Sequence, residues 1–306
     1  MLTRRATMFV MACAALLPGA PAGAQDKAQD KLHVIASFSI LGDLVKNVGG
    51  ERLQVGTLVG PNGNAHVYAP SPGDAKSVAD AKLVFVNGLG FEGWIDRLVK
   101  ASGTKAPIIV ATKGIKPRER AGAGGHGHDH GPADPHAWQS VANAKVYVAN
   151  IRDALIAADP AGKDVYTANA AAYLARLDAL EQEVREVIAK VPADRRRVIT
   201  SHAAFGYFQD AYGVRFTAPQ GVSTEAEASA KDVAAIITQI KKQKIPAVFL
   251  ENVTDPRLVQ QIARETGAKI GGTLYSDALS PPGGPAPTYL DMFRHNIGAL
   301  TAALSS

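Results

Sequence analysis

The chain has 306 residues, 46% of them hydrophobic and 20% charged, and a formal net charge of +5 at pH 7. That is the composition of a soluble globular protein long enough for about two domains, each with a core of its own. The charge is too small, and its lysines, arginines and acids too interspersed, for a nucleic-acid-binding surface.

Arg4-Arg5 precede an apolar stretch from Met8 to Leu17, and small residues ending in Ala22-Gly23-Ala24 come before polar Gln25. That order predicts a secretory signal peptide over 1–24, cleaved after Ala24. The apolar run is about half of the roughly 20 residues that span a bilayer, which argues against a membrane anchor. Two variants share these residues: the arginine pair faintly resembles a twin-arginine signal, and Val10-Met11-Ala12-Cys13 resembles a lipoprotein box with a very short apolar run before it. Cys13 is the only cysteine. A chain cleaved after Ala24 therefore has no disulfide, thiolate ligand, iron–sulfur cluster or cysteine nucleophile, and any metal must be held by nitrogen and oxygen. Export without disulfides fits a bacterial periplasm.

From Leu32 short apolar runs alternate with amphipathic ones. Strands are predicted at Leu32–Ala36, Leu53–Val59, Leu83–Asn87 and Ile108–Ala111, with helices at Ser39–Val48, Ser71–Ala79 and Phe91–Ala101 between them. Ser71-Pro72 supplies a helix cap followed by proline at the first helical position. Between Lys116 and Pro135 the pattern stops. Five glycines interleave there with His126, His128, Asp129 and His130, which predicts a mobile loop that buries little. Helical periodicity returns over Ser140–Ala158, breaks at Asp159-Pro160, and resumes from Ala161 to about Lys190. A helix of nearly thirty residues would be about 45 Å long, enough to run between two domains as a stiff connector that limits their closure.

Beyond Val191-Pro192 the alternation restarts. Strands are predicted at Arg197–Thr200, Val214–Thr217, Ala247–Glu251 and Lys269–Gly271, with helices near Ala203–Tyr212, Ser229–Gln243, Pro256–Thr266 and Thr288–Ala303. The rhythm is that of parallel sheets wound with helices. It divides the chain into an amino-terminal α/β domain over 25–160 containing the histidine-rich loop 121–131, a connecting helix over 161–191, and a carboxy-terminal α/β domain over 192–306.

In open α/β sheets ligands sit beyond the carboxyl ends of strands. His66 follows the strand over 53–59, His202 follows the strand over 197–200, and Asp277 follows the strand and turn near 269–276. His136 sits at the exit of the glycine-rich segment. Three imidazoles and a carboxylate are a donor set that a borderline cation such as Zn²⁺ accepts. Each histidine taken singly fits a surface or structural role better than a ligand role, and the joint placement at strand exits brings the two readings level and leaves both open.

His66-x-Tyr68-x-Pro70, Asn87-Gly88-Leu89-Gly90-x-Glu92-x-Trp94, Asp134-Pro135-His136-x-Trp138, Ser201-His202-x-Ala204-Phe205-x-Tyr207-Phe208 and Leu274-x-Ser276-Asp277-x-Leu279 occur in that order. Together they resemble the zinc/manganese solute-binding proteins of bacterial ABC importers, over nearly all of residues 31–304. The resemblance implies two Rossmann-like α/β domains, each a mostly parallel sheet flanked by helices, joined by one long rigid helix. It implies metal ligands at His66, His136, His202 and Asp277, capture of Zn²⁺ in the periplasm, and delivery to a membrane permease and ATPase by a monomeric receptor. In the manganese and iron branches the third ligand tends to be glutamate. His202 stands there in this chain, and three imidazoles with one carboxylate suit Zn²⁺ whereas Mn²⁺ prefers oxygen-rich sites. Ala65 and Ala228 occupy positions where the family often has proline, which bears on loop stiffness more than on the ligands.

A ligating histidine usually donates its other ring N–H to a carboxylate or carbonyl, and Asp134, Glu225, Glu227 and Glu251 are the candidates. Glu251 stands out because it ends the apolar strand Val248-Phe249-Leu250. Tyr68 is a candidate for the cleft wall, Trp94, Trp138, Phe205, Tyr207 and Phe208 read as packing, and His33 and His295 read as non-ligands. His126, His128, Asp129 and His130 form an auxiliary metal-attracting cluster, which the resemblance connects with gathering metal or accepting it from a periplasmic zinc chaperone. Rival readings are a manganese or iron receptor or adhesin of the same fold, and a secreted zinc hydrolase with Glu251 as base. Four protein ligands leave no open position for a catalytic water, and no HExxH run occurs, so no enzymatic activity is expected.

Overall fold

Runs of three to seven residues rich in β-branched and apolar side chains form the strands of the two main sheets, and within each sheet a helix joins every strand to the next. The computed structural model describes residues 31–119 and 133–305. The expected signal peptide and the histidine-rich segment with His126, His128, Asp129 and His130 lie outside the described residues.

The first half comprises β1 (Leu32–Phe38), α1 (Ser39–Gly49), β2 (Leu53–Val59), α2 (Pro72–Asp80), β3 (Leu83–Val86), α3 (Ile95–Ser102) and β4 (Ile108–Val110). Its strands are parallel and lie in the order β2-β1-β3-β4. A two-residue antiparallel ladder, β5 (Arg118–Glu119) with β6 (Ala133–Asp134), then precedes α4 (Val141–Ala158) and α5 (Lys163–Ala189). The second half comprises β7 (Arg197–Ile199), α6 (Gly206–Tyr212), β8 (Arg215–Thr217), α7 (Ala230–Gln243), β9 (Ala247–Glu251), α8 (Arg257–Thr266), β10 (Lys269–Leu274) and α9 (Tyr289–Leu304). Its parallel order is β10-β9-β7-β8. Both sheets thus wind the same way: the second strand lies on one side of the first, and the third and fourth on the other. The connections diverge at the first strand, so a crevice opens beyond its carboxyl end.

The 27-residue α5 buries Tyr166, Ala170, Tyr173, Leu177, Leu180, Val184 and Ile188. Their spacing of three and four puts them on one face. That face meets α1 and α4 from the first half and α6 and α9 from the second. The larger apolar core accordingly runs without a break from β1 to α9, while a smaller one, including Ile199, Ile236, Ile240 and Ile262, fills the space between the second sheet and α7–α8. The expected cap of α2 is present as a reciprocal capping box between Ser71 and Asp74, with Pro72 at the first helical position. Among the described residues no helix is long and apolar enough to cross a membrane.

Three boundaries differ from the periodicity by three residues or more. α3 starts at Ile95 rather than near Phe91, because Gly88, Leu89 and Gly90 all have positive φ and turn the chain through Phe91–Trp94 first. α6 starts at Gly206 rather than Ala203, because the backbone after β7 is engaged elsewhere: Ala203 N donates to Gly221 O, and His202 bridges to Gln220. β10 continues to Leu274, with its register shifting between Ile270 and Thr273 across Gly271-Gly272.

Candidate metal centre

His66, His136, His202 and Asp277 each offer one donor atom, and the four atoms all lie within 4.8 Å of one another. His66 is 4% exposed and the other three are fully buried. His66 Nε2 is 3.3 Å from His136 Nε2 and 3.3 Å from Asp277 Oδ2. His202 Nε2 is 3.0 Å from Asp277 Oδ2, and His136 Nε2 is 3.5 Å from Asp277 Oδ1.

Each donor is aimed by its local chain. The loop after β2 folds back on itself so that Asn64 Oδ1 accepts from His66 N at 3.0 Å, while the Trp94 indole donates to Ala65 O at 2.7 Å. At Asp134-Pro135-His136 the proline fixes the approach. Asp134 Oδ1 accepts from His136 N at 3.0 Å and lies 2.8 Å from His136 Nδ1. Asn87 Nδ2 donates to Pro135 O at 2.9 Å, and Tyr147 hydrogen-bonds to Asn87 Oδ1. At the end of β7, Glu251 Oε1 accepts from Ser201 N and His202 N at 2.7 and 2.9 Å, and Oε2 lies 2.6 Å from His202 Nδ1. A carboxylate at Nδ1 leaves that nitrogen as the proton carrier, so Nε2 of His136 and of His202 is the one that offers a lone pair inward. Asp277 is placed from the other half, since Trp138 Nε1 and Gln139 Nε2 both donate to Ser276 O, at 2.9 and 2.7 Å.

Burial and mutual charge set the protonation of the cluster. Burial drives the His66 imidazole down to about 4, against the pull of Asp277. It would do the same to His202, but the carboxylates of Glu251 and Asp277 on either side outweigh it and hold that ring well above the ordinary histidine range. For Asp277 burial favours the neutral acid, and the His202 and His136 rings outweigh it, so the carboxyl stays ionised far below its usual range. Neither Asp277 oxygen meets hydrogen-bond geometry. A buried carboxylate without donors costs several kcal/mol, roughly, unless a cation compensates it.

Of the residues expected to support the ligands, Asp134 reaches the His136 ring and Glu251 reaches the His202 ring. Glu225 and Glu227 are exposed on the loop before α7. Tyr68 is half-buried, donates to Asp74 Oδ2 at 2.9 Å and packs edge-on against Trp94. His33 and His295 stand apart, near the carbonyls of Asp80 and Thr273. Asn64 and Gln139 position the site without having been singled out in the sequence, and Asn87, the first residue of the motif Asn87–Trp94, positions it through Pro135.

Two parallel α/β halves meeting at a buried nitrogen–oxygen donor set define the class of metal-binding receptors that serve ABC importers. Residues 34–303 match the family model described as ZnuA, zinc-uptake complex component A periplasmic, and the chain belongs to that family. The manganese-binding lipoprotein MntA of Halalkalibacterium halodurans is 34% identical over 302 residues, 97% of each chain. The iron-binding protein YfeA of Yersinia pestis is 33% identical over 303 residues, covering 97% of this chain and 95% of that one. Among solved structures, the periplasmic zinc-binding protein TroA of Treponema pallidum superposes with a TM-score of 0.82 at 30% identity, covering 90% of this chain and 99% of that one. The chain is thus a substrate-binding protein and not an enzyme, and it binds a metal ion.

Proposed function

We propose that the protein captures Zn²⁺ in the periplasm through His66, His136, His202 and Asp277 and delivers it to the permease and ATPase of an ABC importer. The observation that carries this reading is the spacing of the donors. A tetrahedral zinc with ligand distances of about 2.0–2.1 Å has donor–donor edges of about 3.3 Å. With Asp277 Oδ2 as the carboxylate donor, three of the edges here measure 3.0–3.3 Å. Three neutral imidazoles with one carboxylate suit Zn²⁺ better than Mn²⁺. The manganese-binding and iron-binding relatives support a second reading, a manganese or iron receptor on the same site.

Calorimetry on the chain beginning at Gln25, with Zn²⁺ and Mn²⁺ in parallel, separates the two. A tight Zn²⁺ site that His202→Ala weakens by orders of magnitude, with weak Mn²⁺ binding, is the expected result, and His202→Glu should shift preference toward Mn²⁺. Tighter Mn²⁺ binding by the unaltered protein would put the second reading first. The segment 121–131 is proposed to gather zinc weakly, so its deletion should leave the one tight site and remove weaker ones.

A further inference from the structure

The donors are sealed, and a bound ion leaves only if part of the wall moves. The movable part is the loop between β2 and α2: Pro61, Asn62, Val67 and Ala69 are exposed on it, and it carries His66, the one ligand with any exposure. This loop is tied to the opposite half by two amide side chains. Asn64 Nδ2 lies 2.8 Å from Thr224 Oγ1 and donates to Val253 O at 3.2 Å, while its Oδ1 accepts from His66 N. Two residues earlier, Asn62 N donates to Leu279 O at 2.9 Å, and Asn62 Oδ1 accepts from Asn252 Nδ2 at 3.1 Å. Asn252 follows Glu251, which holds His202, and it also donates to Ala278 O, next to Asp277. Beside this seam lies an open cleft of about 620 Å³ lined by Ser201, Thr224, Val253 and other residues of the second half, with Asn64 alone contributed by the first.

We propose that Asn64 is a latch that sets the rate of metal exchange: its amide closes the seam between the His66 loop and the second half, and the ion passes only when the bonds to Thr224 and Val253 break. This rests on the metal-capture reading of the site. The bonds touch no donor atom, so they hold the closed protein to itself whether or not an ion lies among the donors. Removing them therefore speeds entry and exit together and changes the equilibrium affinity much less than either rate. A residue that only oriented His66 would behave otherwise, losing affinity through faster release alone.

The test is stopped-flow exchange on the full-length protein with Zn²⁺ as probe, loaded by mixing with the metal and released into excess chelator. The variants are Asn64→Ala, Thr224→Val and the pair together. Thr224→Val leaves the Asn64–His66 contact intact and sits on a half-buried loop, so it reads the latch even where Asn64→Ala disturbs folding. Losing the Asn64–Thr224 hydrogen bonds should accelerate both release and capture about tenfold in Thr224→Val, and the double variant should add little to Asn64→Ala. Release from Thr224→Val at the unaltered rate overturns the latch, as does faster release from Thr224→Val with capture unchanged. If the unaltered protein takes up no Zn²⁺ but takes up Mn²⁺, the same kinetics are read with Mn²⁺ and only the zinc assignment falls. Uptake of neither ion overturns metal capture and the latch with it.

Discussion

His202 lies between two carboxylates, Glu251 at Nδ1 and Asp277 at Nε2, and a metal-free ring there keeps its proton well above the usual histidine range. An incoming cation must displace that proton, because a ligand nitrogen binds metal only when deprotonated. The sign follows. Affinity rises with pH while His202 is protonated in the free protein, by about tenfold per pH unit for one displaced proton. His66, with its imidazole pushed down to about 4, adds a second proton to the exchange only in more acid solution. Dissociation constants by chelator competition at pH 6, 7 and 8, with proton release from calorimetry in buffers of different ionisation enthalpy, check this. A flat profile with no released proton would contradict it. Glu251→Gln should weaken metal binding roughly 10–100-fold, as losing an outer partner of a ligating histidine does, and should flatten the pH profile by lowering the His202 ring's hold on its proton. Of the four side chains that the structure brings together, His66, His202 and Asp277 were legible as residues that follow strands, whereas His136, at the exit of the glycine-rich segment, was picked out only by the family resemblance. Asn64 and Thr224 were not, since an amide and a hydroxyl among glycines and prolines read as turn formers and these two meet 160 residues apart.

Among the elements, those whose ends are set by composition were legible. β2 runs from Leu53 to Val59 as its apolar run predicts, and α2 is fixed by its own capping box. Ends set by tertiary partners were not: β10 passes through Gly272, at φ 123°, where a glycine pair reads as a stop. α6 shows how such an end serves the site. A Cβ on Gly206, its first residue, would lie 2.4 Å from Asp134 Oδ2 and 2.6 Å from Arg118 Nη1. The bare glycine thus lets the helix press against the carboxylate that orients His136. Alanine is a good helix former, so Gly206→Ala should leave helix content by circular dichroism unchanged. By displacing Asp134 it should weaken metal binding about tenfold or more. Full affinity in Gly206→Ala would show that Asp134 can shift without releasing His136.

At the scale of the whole molecule, the site draws His66 and His136 from one half and His202 and Asp277 from the other, while α5 and α9 carry a single apolar core through both. The consequence is that metal binding and folding are linked equilibria. An ion bound only by the native arrangement stabilises it by RT ln(1 + [L]/Kd), about 4 kcal/mol at a free concentration near 1,000 Kd. For a chain of this size each kcal/mol moves the melting temperature by roughly 2–4 °C, so saturation should raise it by about 10 °C. Because the core is continuous, the loaded and stripped proteins should each melt in one cooperative transition, with calorimetric and van't Hoff enthalpies in agreement. Scanning calorimetry with excess Zn²⁺ and with chelator decides it. Two resolved transitions, of which only one moves with metal, would mean that the halves fold independently and that the shared core does not couple them. A single transition that moves as a whole would mean that the long helix and the metal stabilise the same cooperative unit, the helix always and the metal on loading.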